Sequence, residues 1–129
     1  MSKIERFEDI ESWQLARELT AGICRATNVA EFSRDFGLKD QIRRAAVSIM
    51  SNIAEGFGRG GNAEPIQFLA IARGSAAEVQ AQLYVALDAG YVAEEQFKKY
   101  YKLTDECAKK IGGFIRYLKQ SDLKGPKYK

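Results

Sequence analysis

Histidine is absent from this sequence of 129 residues, and cysteine and proline occur only twice each. Without His there is no Ser-His-Asp triad, no Cys-His dyad and no His-ligated metal. With only Cys24 and Cys107, a thiolate zinc site would need carboxylates or a second chain. Their separation matches no metal or redox motif. Long apolar runs are missing too: no stretch approaches the roughly 20 residues of a membrane span. The opening residues, MSKIERFEDI, mix both charge signs with no apolar run, so no signal peptide is expected. These absences point to a cytoplasmic protein with reduced thiols and no membrane partner. No catalytic residue, metal or cofactor is expected, and so no enzymatic activity.

What is present is a globular composition, 46% hydrophobic and 29% charged. The length suits one domain large enough to bury a core without disulfides. The net charge of +3 is unevenly spread. Residues 98–129 hold 10 basic and 3 acidic side chains, a net of +7, and the rest of the chain nets −4. Such asymmetry can mark an anionic partner.

Apolar residues recur every three and four positions in four segments separated by short breaks. The first covers residues 10–27, with the stripe Ile10, Trp13, Ala16, Leu19, Ile23 and Ala26 and with Asp9 as its N-cap. A polar connection follows, to residue 35. The second runs from residue 37 or 38 to residue 57 on Leu38, Ile42, Ala45, Ile49 and Ile53. It carries another apolar set, Val47, Met50 and Ala54, about 100° around the helix. A helix with two apolar faces has to bury both, so one serves the core and the other suggests a subunit contact, with Arg43 at its border.

The run GRGG ends the second helix. Asn62 and Pro65 open the third, whose residues Leu69, Ala72, Ala76, Val79, Leu83 and Ala86 alternate four and three apart. Gly90 closes it, and a fourth helix begins about three residues later. Phe97, Tyr101, Thr104, Ala108, Ile111, Ile115 and Leu118 are expected to face inward, with Ala93 as a chemically poor N-cap. The prediction is an all-α, antiparallel up-down-up-down four-helix bundle over residues 1–120, with a flexible basic tail over residues 121–129.

Three blocks sharpen this reading: FEDIESWQLARELT at residues 7–20, GLKDQIRRAAVSIMSNIAEGFGRG at residues 37–60, and FLAIARGSAAEVQAQL at residues 68–83. In this order and spacing they resemble the four-helix-bundle family of 23S rRNA-intervening sequence proteins, over roughly residues 7–119. The family's label describes where some of its bacterial genes sit and names no activity. The resemblance implies a homopentameric ring. It also implies kinship with the accessory protein of diversity-generating retroelements, a basic pentamer that partners a reverse transcriptase and contacts nucleic acid. Ala93 stands where the family commonly has Ser or Thr, and Cys24 where it commonly has an aromatic.

Two groups of polar residues are candidate sites. Lys98, Lys102, Lys109 and Arg116 follow one outward line of the fourth helix, and Lys119 and Lys124 extend it. They are read as phosphate contacts for RNA or DNA, against the plainer reading of a solvated face. On the second helix, Arg44 and Arg59 share one side with Ser48, Ser51, Asn52 and Glu55. Arg44 and Arg59 are candidate nucleic-acid contacts. The weightier reading of this strip is structural: an interhelical network of Asn52 and Glu55, with Glu55 paired to Arg73. Tyr100 and Tyr101 read as packing residues rather than base-stacking platforms. The glycines of residues 56–61 lack the Walker spacing and read as loop punctuation. The functional expectation is a non-enzymatic, homo-oligomeric, nucleic-acid-associated scaffold. The alternative is a scaffold for a protein partner, without nucleic-acid binding.

Overall fold

The computed structural model describes residues 4–123. Four helices pack around one core: α1 (Glu11–Ala26), α2 (Phe36–Phe57), α3 (Ala63–Asp88) and α4 (Glu94–Leu123). Two 3-10 turns, Phe7–Asp9 and Ala30–Arg34, precede α1 and α2, and there is no strand among the described residues. The principal contacts are α1 with α2 and α4, and α3 with α2 and α4. No helix among the described residues is long and apolar enough to cross a membrane.

The periodic stripes are what the core is made of. All six residues of the α3 seam are buried, and so are Leu38, Ile42, Ala45, Ile49 and Ile53 of α2. Small seam residues, Ala72, Ala76 and Ala86, let neighbouring helices approach closely. α2 and α3 accordingly make the most extensive contact in the molecule. The buried line of α4 is turned slightly from the expected one. Tyr100, Leu103 and Cys107 join Phe97, Thr104, Ile111 and Ile115 inside, while Tyr101, Ala108 and Leu118 are half-buried. Tyr100 fits because residue 22 is glycine: an added Cβ there would stand 2.5 Å from the ring.

Several helix ends differ from expectation. Asp9 does not cap α1. Its carboxylate accepts from the backbone N–H groups of Glu5 and Arg6, which closes the first 3-10 turn instead. The cap that the sequence reading omitted is Asp35: one carboxylate oxygen accepts from Leu38 N–H at 3.1 Å, and the other from the Tyr91 hydroxyl at 2.9 Å. That hydrogen bond, more than burial or the negative charges of Asp35 and Glu31, raises the pKa of Tyr91 above the ordinary phenol value. Asn62 holds the N-cap position of α3, but its amide donates to the Leu118 carbonyl at 3.0 Å. At Ala93 the backbone N–H donates to the Gln96 side chain at 3.3 Å, the half of a capping box that needs no Ser or Thr.

The polar connection is not merely a linker. Ala30 adopts φ +49°, a left-handed conformation uncommon for a residue with a Cβ. The turn that follows carries Phe32 into the core at 1% exposure, where it stacks on Tyr91 with centroids 5.1 Å apart. At the other boundary, α4 continues past the limit drawn at residue 120, and Ser121 is a buried helical residue. Lys124, Lys127 and Lys129 of the expected tail lie outside the described residues.

The two cysteines are free thiols with different surroundings. Cys107 is fully buried, donates to the Ser12 carbonyl at 3.3 Å, and has its pKa pushed up to about 12 by desolvation. Cys24 is half-buried. Since the thiolate is the nucleophile, an aromatic disulfide reagent at pH 8 should modify Cys24 in the native protein and reach Cys107 only after denaturant is added. Equal reaction rates at the two thiols would contradict this.

Candidate nucleic-acid interface

Lys98, Lys102, Lys109 and Arg116 all lie exposed on α4, on the side opposite its buried line. Helical rise spaces them about 6–10 Å apart along an axis of about 27 Å. Only Lys109 of the four is ion-paired among the described residues, with Asp105 at 3.1 Å, and that pair is itself solvent-exposed. Such pairs contribute little and exchange readily for another anion. Arg116 follows two glycines, Gly112 and Gly113, and its guanidinium lies over them. Lys119 is exposed one turn further on. Beside this line, Lys110 is bound to Glu11 of α1 at 3.0 Å, and Lys99 lies over the Tyr100 ring at 5.8 Å. The outer line is thus a row of four exposed cations on one helix, interrupted by Asp105 and Glu106.

Arg44 of α2 and Arg59, just past its end, are placed differently. Arg44 pairs with Asp40 at 2.8 Å and borders a cleft that also holds Glu78 and Gln82 of α3. Arg59 pairs with Glu55 at 2.6 Å and lies 5.1 Å from the Phe68 ring. Neither extends the row on α4.

The expected polar network is present with other members. Asn52 donates to the Ser48 carbonyl at 2.8 Å and to its hydroxyl at 3.0 Å, and Ser48 shares a 2.7 Å hydrogen bond with Ser75 across the α2–α3 contact. Glu55 does not reach Arg73; it is taken by Arg59, one helical turn away. Arg73 is exposed and lies by Gly112 of α4. A local partner needs less ordering than an interhelical one, which is why the i,i+4 pair forms.

The apolar set on α2 is in part exposed: Val47 is 46% exposed, while Met50 and Ala54 are half-buried. Phe36 and Phe57 lengthen that strip at its two ends, at 76% and 39% exposure. Arg43 is engaged within the protomer. It donates to the Thr27 hydroxyl at 2.7 Å, to the Cys24 carbonyl at 3.1 Å and to Asn28 at 2.8 Å. It therefore caps the C-terminal end of α1, where unpaired carbonyls favour a cation. Sequence periodicity gave no sign of this role.

α3 has a second, outward seam that the sequence reading did not identify. Ala63, Gln67, Ala70, Gly74, Ala77, Ala81, Tyr84 and Asp88 are spaced four and three apart, and all are exposed. Ile71 and Val85 flank it, each 53% exposed. Nothing lies within 4 Å of a Cβ placed on Gly74. The signal was available in the sequence as a second heptad register of the same helix.

Comparison with known proteins bears on this arrangement. A family model described as 23S rRNA-intervening sequence protein matches residues 8–113. A crystal structure at 1.70 Å from Bacteroides thetaiotaomicron, of a protein with unknown function from the S23 ribosomal protein family, is similar with a TM-score of 0.76. It is 24% identical, and the match covers 81% of this chain and 95% of that one. At that identity the likeness shows the fold. No curated protein matches.

Proposed function

Because the chain belongs to the 23S rRNA-intervening sequence protein family, we propose that it is a non-enzymatic, self-associating scaffold of the cytoplasm that contacts nucleic-acid phosphates through the outer face of α4. The observation that carries this is the exposed row Lys98, Lys102, Lys109 and Arg116, three of which have no ion-pair partner among the described residues. A row of this kind binds the charged backbone and does not read bases, so the recognised feature is an RNA or DNA phosphate array.

Within the protomer we read the helices as antiparallel, up-down-up-down. Tyr91, just past α3, bonds Asp35 at the start of α2, and Asn62, at the start of α3, bonds Leu118 late in α4. Several protomers are needed to cover the apolar surface. The strip through Val47 and the outward seam of α3 are the two faces available, and a closed ring of five would use both, each protomer's strip meeting its neighbour's seam. A ring repeats the α4 row five times, so weak phosphate contacts gain by avidity. The exposed Ile71, Tyr84 and Val85 also favour a second reading, a protein partner seated on α3.

Size-exclusion chromatography with light scattering tests the assembly, on protein purified without nuclease. The expected result is a stable multiple of the 14.4 kDa protomer, with an absorbance ratio raised by carried nucleic acid. A monomer at micromolar concentration would remove the scaffold reading. An oligomer free of nucleic acid that also fails to bind RNA or DNA at low salt would leave the protein-partner reading in its place.

A further inference from the structure

We propose that one end of the bundle holds a binding pocket for a small, uncharged aromatic molecule of about the size of benzene. A half-open pocket of about 140 Å³ lies where the end of α2, the start of α3 and the late turns of α4 converge. Ile10, Ile53, Gly56, Pro65 and Leu69 line it and are buried, so they form its floor. Phe114 and Leu118 of α4 form a half-buried wall. Phe57, Arg59 and Gly61 are exposed and mark the mouth.

Three features shape this end of the bundle. Gly56 lets the end of α2 lie against the start of α3, since an added Cβ would stand 3.1 Å from Phe68 Cβ and 3.3 Å from the Pro65 carbonyl. The Asn62–Leu118 hydrogen bond fastens the α2–α3 connection to α4 across the same end. Gly61, at φ +67°, turns the connection over the mouth without adding a side chain.

The lining selects the occupant. An apolar cavity of roughly 150 Å³ in another protein accepts benzene, and this pocket, open at its mouth, is of similar size. Here Arg59 is the one lining residue with a polar side chain, and its guanidinium is held by Glu55 and lies over Phe68. A flat hydrocarbon that enters displaces solvent from these apolar side chains and makes dispersion contacts with them. This binding is independent of the nucleic-acid reading, because none of the α4 cations lines the cavity.

The test is a benzene titration of the methyl-labelled full chain followed by NMR, with thermal unfolding in parallel. Saturable shifts are expected at the methyls of Ile10, Ile53, Leu69 and Leu118, with none at Val47 or Ile71, and the unfolding temperature should rise with benzene. Leu118→Trp fills the half-buried wall and should weaken binding by about tenfold or more. Phe114→Trp is a second filling variant should the first fold poorly. Shifts that fail to saturate up to the solubility limit of benzene, or equal affinity in a folded filling variant, would overturn the proposal. So would an absence of shifts in the assembled protein, which would mean that a neighbouring copy already occupies the space.

Discussion

Replacing Lys98, Lys102, Lys109 and Arg116 together by Gln is expected to flatten the salt dependence of RNA binding by about 3 units of log K against log salt. Each phosphate neutralised by a cation contributes a slope of about 0.7 on a single strand and 0.9 on a duplex. A change of about 3 units means that a fourfold rise in salt costs the parent protein roughly a hundredfold more affinity than the variant. The four side chains are exposed and contribute nothing to the core, and the Lys109–Asp105 pair is a surface pair. Circular dichroism and unfolding temperature should therefore stay close to those of the parent. Arg44→Gln with Arg59→Gln is the matched control. Neither arginine lies on the α4 row, and their loss should change the slope by less than about 1 unit. An unaltered slope after the α4 substitutions would show that the row is only a solvated helix face.

Phe32→Ala is expected to be the most damaging single truncation outside the four helices. The ring is 1% exposed and stacked on Tyr91, whose hydroxyl holds the Asp35 cap of α2. Removing it takes away apolar burial, a ring contact and the support of a helix cap at once. Truncation of a buried Phe costs about 3–5 kcal/mol, a large part of the roughly 5–15 kcal/mol that stabilises a domain. At this chain length it should lower the unfolding temperature by roughly 10–20 °C. Phe36→Ala, four residues away and 76% exposed, should leave protomer stability within about 0.5 kcal/mol. Similar effects from the two substitutions, read by denaturant unfolding, would refute the burial argument.

The contrast between these two phenylalanines shows where sequence reading works. The seams of α2 and α3 repeat several times, so each buried position confirms the others, and all the stripe residues expected on those helices are inside. Phe32 stands alone in a polar stretch, where periodicity has nothing to act on. Its burial depends on the left-handed turn at Ala30, a conformation that sequence composition does not favour. The candidate site divides in the same way. An outward row on α4 follows from helical spacing alone. The partners of Arg43, Glu55 and Arg73 do not, because each had alternatives within reach and geometry decided among them. α4 is an intermediate case: its apolar arc is broad enough that several lines through it fit the sequence equally, and packing against Gly22 chose the one through Tyr100.

The two seams of α3 have a consequence for how the chain finds its structure. A helix with one apolar stripe can dock in only one rotation, but α3 offers Leu69, Val79 and Leu83 on one side and Ala70, Gly74, Ala77 and Ala81 on the other. A collapsed state with α3 turned the wrong way would still bury methyl groups, so burial alone discriminates weakly between the two. The larger side chains favour the observed rotation, and Ser75 against Ser48, with Asn62 against Leu118, pins it at two points along the axis. These neutral hydrogen bonds contribute modestly to stability. Their larger effect falls on the competing arrangement, which turns Ser75 outward and leaves Ser48 in the α2–α3 contact without it.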